Sequence, residues 1–235
     1  MVKKFKHTLT SLTVASTLFV ATQVQAADID IKLVNLTHAI AFTPILIAAN
    51  DDQTALFHLG EEASLALQKM AEGGNTADLK TAVMSAGGAT LDLTSAPTMA
   101  GVTSMGSLDT GPNMYLSVSA MMLPTNDGFV GLDSWKIPTE AGTYTIMLNA
   151  YDAGTEINDE IINGGGMPGT PGIPADPSGN AGTGGAGVSS NEGNQTVHIH
   201  PGNIGDNDPT GGMSDLNSSV HRWLNPVAKL VITVK

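Results

Sequence analysis

The chain has 235 residues, a formal net charge of −12 and no cysteine. An acidic chain of this kind repels nucleic acid and anionic membrane surfaces, which argues against partners of either class. Without disulfides, its stability must come from a packed core, from bound metal, or from both. The length suits one large domain or two small ones.

The first 26 residues have the layout of a secretory signal peptide. Lysines at positions 3, 4 and 6 precede an apolar run from Leu9 to Val24. Val24 and Ala26 then provide small residues at the positions that precede a signal-peptide cleavage site. A membrane anchor is the alternative, but the run is shorter than the roughly 20 residues that cross a bilayer. We therefore expect cleavage before Ala27, no later transmembrane segment, and a protein that is secreted, periplasmic or on the cell surface.

Cleavage would make the remaining chain more acidic. The three lysines would be lost while all 22 acidic residues remain, which leaves seven basic residues and a formal charge of −15. Such a chain attracts divalent cations, although many secreted proteins use acidity only for solubility.

The apolar pattern after residue 26 predicts mainly strands. Two short helices are predicted by near-helical spacing over Glu61–Ala71 and, more weakly, over Asp78–Ser85. Alternating or short apolar segments predict the strands: Asp28–Leu36, Thr43–Ala48, Asn113–Leu123, Phe129–Leu132, Thr143–Tyr151, Gln195–His200 and Val227–Val234. Strands joined by Gly- and Pro-rich turns favour an all-β fold, an antiparallel β-sandwich, over a parallel α/β fold.

Two further segments have distinct composition. Residues 164–194 are rich in Gly and Pro and poor in large apolar side chains, which predicts a flexible insertion within a single domain of residues 27–235. Near the end, Asp215–Trp223 is expected to form a short helix capped by Ser214 or Asp215 and closed by Pro226, with Trp223 at the edge of the sandwich.

The densest group of polar residues lies between Thr125 and Glu160. Asp127 and Asp152 each sit at the end of a predicted strand, and Gly154 allows a tight turn that returns Glu156 toward Asp152. Three converging carboxylates repel one another, and Lys136 is the one basic residue in this span. A calcium ion, which accepts six to eight oxygen ligands, would relieve the repulsion. Solvated acidic loops are the alternative.

Two motifs in this region resemble the signature of the spondin domain family, the amino-terminal module of F-spondin and mindin. They are T-N-D-G-F at Thr125–Phe129 and Y-D-A-G-T-E-I-N at Tyr151–Asn158. Asn35–Thr37, Phe57–Ala63, Met70–Glu72 and the closing Trp223–Ala228 also look like family blocks.

The resemblance implies an antiparallel β-sandwich of C2-like shape with one calcium ion held by loop carboxylates. On the matching positions, the implied metal ligands are Asp127, Asp152 and Glu156. Glu156 departs from the animal pattern, which has Asp there, but it still offers two oxygens. The adhesive modules that accompany this domain in animals have no counterpart in this sequence, so binding to their partners does not carry over.

Several secondary metal candidates remain open. Asp133 could join the site or cap a turn before Ser134. His198 and His200 would share one face of a strand and, with His221, could bind zinc or copper, although packed or surface histidines are the commoner case. The turn Asp206–Gly211 resembles the start of an EF-hand loop, but Asn217 replaces the bidentate Glu at its twelfth position.

Enzyme hypotheses have little support in the sequence. It contains no H-E-x-x-H, G-x-S-x-G or phosphate-loop motif and no cysteine nucleophile. The sequence therefore predicts a non-catalytic, exported, calcium-binding module for adhesion or matrix association, with an unidentified extracellular protein or polysaccharide as its partner. A C2-like lipid-surface binder and an uncharacterised hydrolase are the alternatives.

Overall fold

The computed structural model describes Met1 and residues 27–51, 53–191 and 193–235, so the predicted signal peptide lies outside the described residues. Most of the regular structure is strand. In chain order, the elements are β1 (Asp28–Asn35), β2 (Ala41–Phe42), β3 (Leu46–Asn50), α1 (Leu65–Gly73), α2 (Ala77–Ser85), β4 (Ala89–Asp92), β5 (Thr103–Asp109), β6 (Tyr115–Leu123), β7 (Gly128–Lys136), β8 (Gly142–Asp152), β9 (His198–Ile199) and β10 (Ala228–Val234).

The strands form one antiparallel, nearly closed sheet that resembles a sandwich or barrel. Neighbouring strands follow the order β4-β3-β6-β7-β8-β10-β1-β5, with β2 added to β6 and β9 added to β8. The two edge strands of this sheet, β4 and β5, lie close together, as the packing of Leu91 and Leu93 over Gly106 of β5 shows. The predicted all-β fold with two short helices in a loop is confirmed.

Strand β8 belongs to both halves of this sheet. Its first part, Gly142–Leu148, pairs with β10, and its last residues, Asn149–Asp152, pair with β7. Tyr151 and Asp152 also pair with β9. Because β8 is shared, its final residue lies where three strands meet.

Two apolar cores lie on opposite faces of strands β3, β6 and β7. The larger core fills the interior between the two halves of the sheet, and the smaller core lies beneath α1 and α2. In β3, Ile47 faces the larger core and Leu46 the smaller, which explains why this strand reads as a continuous apolar run. Phe129 of β7 is fully buried in the smaller core.

Helix α1 begins at a capped residue. The hydroxyl of Ser64 accepts a hydrogen bond from the Leu67 amide at 3.1 Å, and Leu67 and Met70 pack into the smaller core. Helix α2 follows Thr76, whose side chain makes no capping bond.

Replacing Ser64 with alanine is expected to lower the free energy of unfolding by about 1 kcal/mol, because an amide at the start of α1 loses its acceptor. Urea unfolding followed by circular dichroism measures the change. Thr76→Ala is the matched control, and it should have a much smaller effect because there is no capping bond to lose. Equal losses in the two variants would contradict this account of the cap.

Three strands were missed, namely the two-residue β2 and strands β4 and β5, and one predicted helix is wrong. Strands β4 and β5 contain Thr, Ser, Gly and Asp, so their apolar pattern is weak. Over residues 215–223 the chain forms turns, with His221 N bonded to Asn217 O. A helix does not form there because the Asp215 side chain accepts hydrogen bonds from residues 162 and 183–185, outside this segment. The prediction for Trp223 agrees, since it packs against the larger core.

The Gly/Pro-rich segment 164–194 is attached to the domain mainly by carboxylates. The Asp215 Oδ1 atom accepts hydrogen bonds from the backbone of Thr183 at 2.8 Å, Gly184 at 2.9 Å and Gly185 at 2.9 Å. Ile173 is fully buried and its amide bonds to the carbonyl of Ile161. The flexibility expected from its composition stays a prediction, as does the single-domain boundary at residue 27.

Candidate metal centre

The ends of two neighbouring strands bring Asp127 and Asp152 to one pole of the sheet. Gly128, the first residue of β7, is directly opposite Asp152, the last residue of β8, in an antiparallel pair. Asp127 immediately precedes β7, and its carbonyl accepts a hydrogen bond from the Ala153 amide at 3.3 Å. The strand ends therefore bring the two residues to the same pole, where the Asp152 charge is close enough to act on the Asp127 carboxyl group.

Asp127 is fully buried, and its two carboxylate oxygens differ in their contacts. Oδ2 accepts hydrogen bonds from the Thr155 amide at 2.7 Å, the Thr155 hydroxyl at 3.1 Å and the Glu156 amide at 3.1 Å. Oδ1 is buried and has no hydrogen-bond partner. A buried carboxylate oxygen without a donor is costly to the fold, and a bound cation would satisfy it.

Asp152 is also fully buried. Its Oδ1 accepts a hydrogen bond from the Gly154 amide at 2.8 Å, and its Oδ2 accepts one from the Asn158 side-chain amide at 2.6 Å. Gly154 has a φ of 69°, and a Cβ atom there would lie 2.7 Å from the Gln195 carbonyl carbon. Only glycine fits this turn, which folds residues 155–156 back over Asp127.

Glu156 is 5 % exposed and lies beside a fourth acid, Glu72, which the sequence did not assign to the site. Glu156 Oε2 accepts a hydrogen bond from the Gly172 amide at 3.2 Å, and its Oε1 is buried without a partner. Glu72, fully buried in α1, accepts hydrogen bonds from Gln68 and from the Gly169 amide, each at 2.7 Å. The two glutamates therefore hold the start of the Gly/Pro-rich segment.

Burial and the nearby negative charges raise the pKa values of the Asp127 and Glu156 carboxyl groups. Burial, followed by the nearby Asp152 charge, raises the pKa of Asp127 from 3.8 to about 7, against the lowering effect of its hydrogen bonds. Burial, followed by the Glu72 charge, raises the pKa of Glu156 from 4.5 to about 8. Within the described residues, no lysine or arginine forms an ion pair with Asp127 or Glu156.

Asp133 lies away from these carboxylates. It is inside β7, five residues after Gly128, and five steps along a strand span about 16 Å. Its Oδ2 is 3.3 Å from His58 Nδ1. It occupies neither the acidic pole nor the turn proposed as the alternative.

The two strand histidines have different environments. His200 is buried, packs on Trp223 with ring centroids 4.9 Å apart, and accepts a hydrogen bond at Nδ1 from the Gly202 amide at 3.0 Å. Burial, and secondarily the nearby His198, lowers its pKa to about 3. His198 instead faces Asp152, with 3.8 Å between Nε2 and Oδ2.

The remaining histidine candidate and the EF-hand-like turn lie elsewhere. His221 is buried next to Asp176, with 3.9 Å between Nε2 and Oδ2. Residues 206–211 form a turn, in which Asp206 accepts backbone hydrogen bonds from Asp208, Met213 and Ser214. The prediction of a turn there is confirmed.

In the ranges with described coordinates, no three side chains of His, Cys, Asp or Glu stand in an arrangement that could hold a metal ion. The chemistry of the donors nevertheless fits a hard cation, because Asp127 and Glu156 each present a buried oxygen without a partner. Convergence on one ion would need side-chain rotation. Neither helix of the described chain has the length and apolar character to span a bilayer.

A comparison with protein families matches residues 35–159 of the chain to Spondin_N. No curated protein sequence matches the chain. The matched range covers just over half of the chain and includes Asp127, Asp152 and Glu156, whereas the resemblance noted for Trp223–Ala228 falls outside it. The chain therefore belongs to the spondin N-terminal domain family, a family of extracellular binding modules.

Proposed function

We propose that the protein is a calcium-dependent extracellular binding module for adhesion or matrix association. The single observation that carries this proposal is the pair of buried, unpartnered oxygens, Asp127 Oδ1 and Glu156 Oε1, at a pole where no described lysine or arginine pairs with either acid. Calcium supplies the missing positive charge and tolerates irregular oxygen geometry. In this proposal Asp127, Asp152 and Glu156 are the side-chain ligands.

The hydrogen bonds of the acidic pole support a role for calcium in ordering loops. Asp127 Oδ2 fixes the turn at residues 155–156, and Glu156 fixes Gly172. An ion that balanced the negative charges of both acids would favour the ionised carboxylates. Ionised carboxylates accept these hydrogen bonds more strongly than protonated carboxyl groups do. The loops around the pole would then present a defined surface to an extracellular protein or polysaccharide.

Calcium is expected to raise the melting temperature of the protein. At a free calcium concentration a hundred times the dissociation constant, the stabilisation is about 2.7 kcal/mol. Scanning calorimetry in calcium and in EDTA measures it, and isothermal titration gives the affinity. Asp127→Asn and Asp152→Asn should each remove most of the calcium effect.

Asp133→Asn is the matched control for these variants, because it removes the charge of an acid in β7 about 16 Å from the start of the strand. It should leave the calcium-induced rise intact. A wild-type melting temperature that is the same in calcium and in EDTA would overturn the calcium proposal. A rise that survives Asp127→Asn and Asp152→Asn would overturn the assignment of the site.

A further inference from the structure

The first part of strand β8 has one edge to which no described strand is paired. Residues 142–148 pair with β10 along one edge, and β7 pairs with the other edge only at residues 149–152. The first part of β8 is therefore the outermost strand of the half of the sheet that contains β10, β1 and β5. An edge of this kind presents backbone amide and carbonyl groups to which another strand can add.

The direction of the Leu148 carbonyl shows which backbone groups point to this edge. That carbonyl accepts a hydrogen bond from the Val227 amide at 2.9 Å, on the side of β10. In an antiparallel sheet, the backbone groups of successive residues point alternately to the two edges of a strand. The amides and carbonyls of Thr143, Thr145 and Met147 therefore point away from β10, and the side chains of these three residues are exposed.

The other outer strands have features that discourage the addition of a strand, and β8 lacks them. Strand β4 has only four residues, and β5 lies close to β4 and ends at Asp109. The last part of β7 carries Asp133 and Lys136, beside an irregularity in its register with β6. Short strands, charges and irregular register protect sheet edges in natural proteins. Residues 142–151 of β8 contain no charged residue and no proline.

The side chains next to this edge leave apolar surface exposed. Trp135 of β7 and Tyr144 of β8 lie with their ring centroids 6.2 Å apart, where the two strands separate. Both rings, together with Ile146, are only partly buried against the larger core. An additional strand at this edge would cover them, and the burial of apolar surface is the main favourable contribution to protein association.

We propose that the unpaired edge of β8 is the interface of a symmetric dimer, in which β8 pairs antiparallel with β8 of a second copy of the chain. The edge is self-complementary. A two-fold axis at Tyr144 places Thr143 of each copy opposite Thr145 of the other, and the two Tyr144 side chains opposite each other. Threonine pairs and aromatic pairs are among the cross-strand pairs that stabilise antiparallel sheets. This inference goes beyond the proposed function and does not depend on calcium.

The distribution of charge favours a second copy at this edge over other parts of the surface. The chain has a formal net charge of −12, so most contacts between two copies would bring acids together. Residues 142–151 are uncharged, and the charged residues before them, Lys136 and Glu140, have opposite signs. Asp152 is eight residues from Tyr144, a span of about 26 Å. Antiparallel pairing would therefore hold the two acidic poles roughly 50 Å apart, far beyond the screening length at physiological salt.

The dimer is expected to be weak, because only a few residues of each strand pair. Interfaces below about 1,200 Å² are typical of weak or transient complexes, so we expect dissociation in the micromolar range. A dimer would present two acidic poles that face in opposite directions. It could therefore join two strands of a matrix ligand with an apparent affinity above that of either pole alone.

The test is sedimentation-velocity ultracentrifugation over a concentration series from micromolar to submillimolar, in EDTA and in calcium. The mass of the wild type should rise from monomer to dimer equally in both buffers. Thr145→Pro removes an amide that points to the interface and not to β10, so it should weaken the dimer at least about tenfold. Thr145→Ala is the matched control, because it keeps that amide, and it should change the dissociation constant by less than about threefold.

A second variant, Thr145→Glu, keeps the backbone intact and places two negative charges diagonally across the paired strands, so it should also weaken the dimer. Circular dichroism checks that each variant folds, and Thr145→Glu decides the test if the proline variant does not. A wild type that stays monomeric over the whole series would overturn the inference, as would a dimer that survives Thr145→Glu. If the dimer forms but calcium leaves the melting temperature unchanged, only the calcium proposal falls.

Discussion

Alanine in place of Phe129 is expected to lower the free energy of unfolding by about 3–5 kcal/mol, the usual cost of removing a large buried aromatic ring. Phe129 is fully buried and packs edge-on against Phe57 at 5.0 Å and beside Tyr151 at 5.6 Å between ring centroids. Phe129 directly follows Gly128 and packs on Tyr151, the residue before Asp152, so calcium affinity should fall as well. Urea unfolding in EDTA isolates the change in stability from the effect of metal.

Phe129→Leu is the control for the aromatic cluster. Leucine keeps most of the apolar volume and loses mainly the ring contacts, so its cost should be clearly smaller than that of alanine. A loss below about 1 kcal/mol for Phe129→Ala would contradict the packing described for the smaller core.

Raising the pH from about 6.5 to 9 in EDTA is expected to destabilise the metal-free protein. The pKa values of Asp127 and Glu156 are raised in the folded state to about 7 and about 8. In this window the folded protein holds protons that the unfolded chain has already released, so stability falls as each group ionises. The slope should be on the order of 1 kcal/mol per pH unit, measured by urea unfolding at fixed ionic strength.

Two histidines set the lower limit of the pH range over which stability is expected to fall. The pKa values of His200 and His221 are lowered by burial, so they contribute the opposite slope, mainly below about pH 6.5. Asp206 and Asp215 have lowered pKa values and matter only at still lower pH. The double variant Asp127→Asn, Glu156→Gln should flatten the slope above pH 6.5. A metal-free stability that rises over this range would contradict the raised pKa values.

Periodic strands could be predicted from the sequence because one face of each is buried. In β1 and β10, Ile31 and Ile232 lie opposite each other in the core, and their flanking residues alternate with polar ones. Strands β4 and β5 could not be predicted in the same way. Gly106 of β5 makes room for Leu91 and Leu93, a cross-sheet contact that leaves no periodic signal in β5 itself.

The candidate centre could be predicted in part. The spacing of Asp127, Asp152 and Glu156 in two recognisable motifs was enough to propose them together. Glu72 falls in a block that looks like the family's, Met70–Glu72, but the sequence could not assign it to the centre. It lies on a helix 84 residues from Glu156, and both glutamates bind the backbone of residues 169–172. The pairing of His198 with Asp152 depends on the register of β9, a strand of only two residues. The longer predicted strand, Gln195–His200, did not define that register.

The two ends of the described domain leave the sheet side by side. The Lys235 amide donates to the Asp28 carbonyl at 3.0 Å, and the Lys235 side chain pairs with Asp30 at 2.8 Å. Both ends lie near Gly142, where β8 begins, whereas Asp152 is ten residues further along, a span of about 33 Å. A tag or surface linker attached next to Asp28 or Lys235 would therefore lie at the opposite end of β8 from Asp152, so that the acidic pole of immobilised protein faces away from the support during ligand screening.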